Sequence, residues 1–213
     1  MVRQVKTTPR KRPRQARSKA TVDTILAATA RVLVRRGFDR LTTNAVADAA
    51  GVSIGSLYQY FPNKEALVAA LIEATLDRKS SALQAELARV ATLPVAEAVR
   101  AVIGLAIANY STEPELTRVL LQQVPRVGRM ARISELQLTT HRMVTALLDA
   151  RRGELAIRDP ETAAFVLVAA IEGIAQRAAL GDPDRLRDPT LVDEVISLVT
   201  RYLGASVNAA PGS

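Results

Sequence analysis

Residues 41–64 read LTTNAVADAAGVSIGSLYQYFPNK, and this stretch decides the fold. Thr42 is a good N-cap, and Asn44, Val46, Ala47 and Ala50 follow in a helical run. Gly51 ends that run as a C-terminal glycine does. Val52 and Ser53 complete a tight turn. A second short helix is expected from about Ile54 to Phe61, where Pro62 stops it. Two short helices joined by a glycine-containing turn make the outline of a helix-turn-helix, whose second helix enters the DNA major groove.

The outline alone fits many helical corners, and the residue types narrow it. The second helix carries Gly55, Ser56, Tyr58, Gln59 and Tyr60, with Leu57 as its aliphatic anchor and Phe61 as a second core residue. Small and hydroxyl side chains suit a surface that must approach phosphates and base edges closely. Thr42, Thr43 and Asn44 sit at a helix N-terminus, where backbone amides and hydroxyls suit a phosphate.

The motif order is Thr42-Thr43, Gly51-Val52-Ser53, Leu57-Tyr58-Gln59-Tyr60-Phe61 and Lys64-Glu65-Ala66-Leu67. It resembles the DNA-binding signature of the TetR family of bacterial repressors, over roughly Arg17 to Leu76. The resemblance implies an all-α protein: a three-helix DNA-binding head on a larger helical body that binds a ligand and dimerises. It also implies that Tyr58 and Lys64 contact phosphates, and that Ser53, Ile54, Gly55, Ser56 and Tyr60 reach the groove. Two positions depart from the family. Residue 54 is often polar or basic there and here is Ile, which suits a thymine methyl. Residue 60 is often His and here is Tyr.

Charge agrees with such a head. Residues 1–64 hold 13 Lys and Arg against 3 Asp and Glu, a net +10, while the rest of the chain sums to −2. A basic N-terminal third on a near-neutral body implies an anionic partner for that third. Residues 1–19 form a basic arm without an acid, and Pro9 and Pro13 oppose a helix within it. Arg12, Arg14 and Arg17 abut the first helix and are its candidates for phosphate or minor-groove contact.

That first helix is expected over Ala20–Arg36, with Gly37 ending it and Phe38 and Leu41 packing beneath the turn. The DNA-binding domain then spans 20–64. Asn63 caps a long helix from Lys64 to about Val90, apolar on nearly every side over Ala66–Ile72. By resemblance it links head to body. Helices follow over Val95–Tyr110, Glu115–Gln123 and Arg132–Arg152. The last two, from Asp159-Pro160 and Asp188-Pro189, each place an N-cap before a first-turn proline. The body spans 65–204, and 205–213 is a small polar tail.

The last two helices are rich in small and branched residues, which suits either ordinary core or a four-helix interface with a second copy. The resemblance favours the interface. Its candidates are Phe165, Val168, Ala169 and Glu172 on one helix and Val195, Val199 and Tyr202 on the other. Polar groups among apolar helical faces are candidates for an effector pocket: Tyr110, Gln122, Gln123, Gln137, Thr140, His141, Glu172, Gln176 and Arg177. His141 reads as a surface or partly satisfied histidine before it reads as a ligand group.

The chain has no cysteine and one histidine, which leaves thiolate chemistry out and a metal site poorly supplied. It has no phosphate loop, serine elbow or paired-histidine motif, so neither an enzyme nor a cofactor is expected. No apolar run reaches the ~18 residues of a membrane span, and no signal core follows the basic N-terminus. The expectation is a cytoplasmic, ligand-responsive repressor. It would bind a palindromic DNA operator as a homodimer and be released by a small hydrophobic effector. The rivals are a sequence-independent architectural DNA-binding protein and a helical carrier.

Overall fold

The computed structural model describes residues 16–204. Within them the chain forms nine α-helices, two short 3-10 turns and no strand. The helices are α1 Ala16–Arg36, α2 Thr43–Ala50, α3 Ile54–Tyr60, α4 Lys64–Val90, α5 Val95–Ser111, α6 Pro114–Gln123, α7 Met130–Ala150, α8 Pro160–Gly181 and α9 Pro189–Tyr202. The all-α class expected from the sequence is found. Helix α1 starts four residues before Ala20, because past Pro13 the chain offers Ala16, Arg17 and Lys19, which are good helix formers. Arg12, Arg14 and the tail 205–213 lie outside the described residues, as does the side chain of Arg17.

The expected caps close four helices. Thr42 Oγ1 accepts the Ala45 amide at 3.2 Å, and Asn63 Oδ1 accepts that of Ala66 at 2.8 Å. Asp159 and Asp188 accept the amides of Thr162 and Thr190 at 2.8 and 2.9 Å. The α2 terminus is a Schellman turn. Gly51 sits at φ 65° and donates to Asp48, while Val52 donates back to Ala47.

The described residues divide into two compact units. The first takes the chain as far as Asp77 together with Glu115–Ile133. Its core joins Ile25 and Leu33 of α1, Leu41, Val46 of α2, Leu57 of α3 and Phe61. Ala66, Leu67, Val68, Ala69, Leu71 and Ile72 of α4 belong to it, as do Leu116 and Leu120 of α6. Each such Leu or Phe contributes about 1.5–3 kcal/mol by leaving water. Three arginines after α6 add ion pairs within this unit: Arg126 with Asp39 at 3.1 Å, Arg129 with Glu73 at 2.8 Å, and Arg132 with Asp77. The division inside α4 therefore falls later than the 64/65 boundary expected from the motif. No sequence period announces that Glu115–Ile133 belongs with the head.

The second unit holds Arg78–Pro114 and the chain from Ser134 on. There α5 packs against α8 and α9. Val99, Ile103 and Ile107 of α5 are buried with Ala163, Ala164, Leu167 and Ala175 of α8 and Val195, Ile196 and Val199 of α9. Helix α8 corrects one expectation: by length and composition it is apolar enough to cross a membrane. Ala, Val and Ile keep its average apolar although Glu161, Glu172, Gln176 and Arg177 interrupt the run. At the end of α9, Gly204 (φ 68°) lies so close to Ala156 that a Cβ there would stand 2.2 Å from that residue's Cβ. The Ala156 amide donates to the Leu203 carbonyl at 2.9 Å.

Candidate nucleic-acid interface

The turn after α2 sets α3 on the surface of the first unit, with Leu57 and Phe61 pinned in its core. Those two are one turn apart, so Ile54, Gly55, Tyr58 and Gln59 share the opposite, exposed face. Gln59 was not among the candidates; its place on that face follows from the four-residue spacing with Gly55. Tyr60, also expected at the groove, is half-buried against the core, its ring 6.5 Å from that of Phe61. It follows Leu57 by three residues, which turns it toward the anchor's side.

The hydroxyls divide their work. Ser53 caps α3: its Oγ accepts the Ser56 amide at 3.1 Å and hydrogen-bonds the Ser56 Oγ at 2.8 Å. Both serines were expected at the groove, and both spend hydrogen bonds on shaping the helix start. Thr42 caps α2 in the same way, with Asn44 exposed beside it. Thr43 Oγ1 lies 3.1 Å from the Tyr58 hydroxyl, tying the first turn of α2 to the exposed face of α3. That juxtaposition places a phenol beside amides that have no intrahelical partner.

Lys64, expected at a phosphate, is held within the head. Its ammonium donates to the carbonyls of Phe38 and Asp39 at 3.0 and 3.2 Å and lies 4.7 Å from the Phe38 ring centroid. The Arg126 guanidinium lies 4.7 Å from the same centroid. A turn's carbonyls must find donors, and here a lysine at the start of α4 supplies them. Lys64 thus braces the α1–α2 turn.

In the second unit, four of the effector candidates come together. Gln137 of α7 donates through Nε2 to Glu172 of α8 at 3.2 Å. The Tyr110 phenol of α5 hydrogen-bonds Gln176 of α8 and is pushed up chiefly by burial. Burial also raises Glu172. Lys79 of α4, which was not a candidate, sets its ammonium 4.4 Å from the Tyr110 ring centroid. Burial, with Arg78 next to it, lowers Lys79 to about 8.

The other candidates stand apart. His141 donates through Nε2 to the Glu161 carbonyl at 3.0 Å and meets Phe165 edge-on. Glu161 precedes Glu172 by ~16 Å of helix. Thr140 is buried, and Arg177 is exposed. Gln122 and Gln123 belong to the first unit. Gln123 is buried there with its Oε1 unpartnered among the described residues.

On the dimer candidates the residues split by face. Val195 and Val199 are 3% and 4% exposed, so they fill the unit's interior. The outward stripe of α9 is Leu198 and Tyr202, and that of α8 is Phe165, Val166 and Ala169. Phe165 is 66% and Leu198 52% exposed. Val168 and Glu172 are half-buried.

A three-helix head with a capped second helix presenting a small, hydroxyl-bearing face defines a helix-turn-helix DNA-binding protein with a separate helical body. Comparison carries this further. Residues 25–71 match the family described as bacterial regulatory proteins, tetR family, and residues 94–203 match the tetracyclin repressor-like C-terminal domain. The chain belongs to the TetR family of bacterial transcriptional regulators. It is 36% identical over 85 residues to the nucleoid occlusion factor SlmA of Haemophilus ducreyi. That alignment spans 40% of this chain and 41% of that protein, so the likeness concerns about two fifths of each. Its fold is similar to that of a Mesorhizobium loti protein assigned to the TetR-family transcriptional regulators. The TM-score is 0.74 at 18% identity, over 89% of this chain and 98% of that one. It is also similar to SmeT, solved as a complex with triclosan: TM-score 0.60 at 23% identity, over 84% and 91%.

Proposed function

We propose that this regulator is a repressor that binds a palindromic operator as a homodimer and is released by a small, largely apolar effector in the cytoplasm. The observation that carries the DNA half is the exposed face of Ile54, Gly55, Tyr58 and Gln59, fixed from beneath by Leu57 and Phe61. Tyr58 and Thr43 position the head on phosphates, and the α3 face reads the groove. Arg12 and Arg14 before α1, with Arg17 in its first turn, add sequence-independent attraction. The outward apolar stripe of α8 and α9 supports a two-fold pairing, which would set two heads on successive grooves ~34–36 Å apart. The Tyr110 cluster, and the triclosan held by SmeT, support a small-molecule effector. Such a ligand must favour one head spacing over another, since equal affinity for both shifts nothing.

The test is binding to the DNA flanking the protein's own coding region, at ~150 mM salt, against scrambled competitor. Selective binding of two protomers per site is expected. Tyr58→Ala should weaken it about tenfold, the loss of one hydrogen bond to a charged group, with the thermal midpoint unchanged. Binding of equal strength to any sequence, with a steep salt dependence, would instead support an architectural role, which the likeness to a nucleoid occlusion factor keeps in view.

A further inference from the structure

We infer that the effector is an organic anion on an aliphatic body, and that its charged group is received by the ammonium of Lys79 where that side chain meets the Tyr110 ring. The inference rests on the ligand-responsive reading above and names the chemistry of that site.

The warrant is an imbalance among the five side chains. Gln137 and Glu172 share one hydrogen bond, and Tyr110 is bonded to Gln176. Lys79 has three N–H donors and, among the described residues, only an aromatic face against them. A cation–π contact contributes about 0.5–2 kcal/mol and offers no lone pair to the three N–H donors. No described carboxylate lies within ion-pair reach of it; Glu172 acts on it only from further away. Burial has brought Lys79 down to about 8, so at neutral pH it is still mostly charged.

The sign of the missing partner follows. A cationic ligand would meet Lys79 with Arg78 beside it, and Glu172 already accepts the Gln137 amide. A neutral ligand would leave the ammonium unpaired. An anion supplies the hydrogen bonds and charge that the protein withholds. The body of the ligand is set by what lies one turn away on the same helices: Leu83 on α4 and Ala106 on α5, both apolar and half-buried. A lysine is a point charge without the planar fork of arginine, so the site selects charge more than head-group shape.

Three probes of one chain length decide it: octanoate, octanol and octylamine, each titrated calorimetrically into the full-length protein at neutral pH. Octanoate should bind at least about tenfold tighter than the other two. Lys79→Met and Lys79→Gln should both erase that preference by weakening octanoate alone, and Lys79→Arg should keep most of it. Octanol or octylamine binding as tightly as octanoate, unaltered octanoate affinity in Lys79→Met and Lys79→Gln, or no octanoate binding to the wild-type chain would each overturn the inference. Operator selection is scored on the same preparation without ligand. Failure there sinks the repressor reading whatever the calorimeter gives, and a lost head-group preference sinks only the anion.

Discussion

Lys64 and Lys79 both carry an ammonium into a partly buried place, and their surroundings answer it differently. Lys64 finds two carbonyls and a ring; Lys79 finds only a ring. Replacing each by Met should therefore move stability in opposite directions. Lys64→Met removes two charge-assisted hydrogen bonds at a half-exposed site and should cost about 1–2 kcal/mol. Lys79→Met removes an ill-compensated charge and should raise the thermal midpoint at pH 7. The gain must depend on pH. Lys79 falls from 10.5 to about 8 in the folded chain, so between those values the unfolded chain binds more protons. Wild-type stability thus rises with pH across that window. The advantage of Lys79→Met is largest below pH 8 and closes toward 10.5. Thermal scans at pH 7, 9 and 10 check both sign and window. A side chain kept at a cost to stability is the pattern expected of a working site.

At the scale of elements, the head depends on two ends: the left-handed Gly51 that stops α2 and the Ser53 that starts α3. Ser53→Ala should cost about 1 kcal/mol, the usual worth of an N-cap. Gly51→Ala meets no neighbour and pays only the backbone strain of φ 65°, about 1–2 kcal/mol. Gly204→Ala adds to similar strain a collision with Ala156 and should cost more than Gly51→Ala in a urea titration. These ends were legible in the sequence because glycine, proline and short hydroxyl residues act locally. The cap at Asn63 and the Asp-Pro starts of α8 and α9 were legible for the same reason. What lay hidden depends on distant partners. Lys64 matches a family position that touches phosphate, yet the carbonyls that hold it belong to residues 38 and 39. Nothing in the polar half of α4 distinguished Lys79 from its solvated neighbours, since Tyr110 meets it only after folding.

For the whole molecule, the proposed pairing asks which apolar face would meet a second copy. Both faces of α9 are aliphatic, so its sequence could not tell Val195 and Val199 from Leu198 and Tyr202. Burial separates them. Leu198→Asp combined with Phe165→Asp should yield a folded monomer in sedimentation, with operator binding lost because two half-sites need two heads. Val195→Asp should instead lower the thermal midpoint, because it puts an unpaired charge in the core. A double Leu198/Phe165 variant that stays dimeric would move the seam elsewhere. The same helical faces explain why α8 passes for a membrane span by composition: one side serves the core and the other is left apolar on the outside.

The four tyrosines have a consequence of another kind. The chain has no tryptophan, so its near-ultraviolet absorption and emission come from Tyr58, Tyr60, Tyr110 and Tyr202. Tyr58 stands on the exposed face of α3, Tyr60 against the head core, Tyr110 under an ammonium, and Tyr202 on the outward stripe of α9. Optically, DNA, ligand and partner would each disturb a different phenol. Single Tyr→Phe replacements would turn this unlabelled chain into separate built-in reporters of each event.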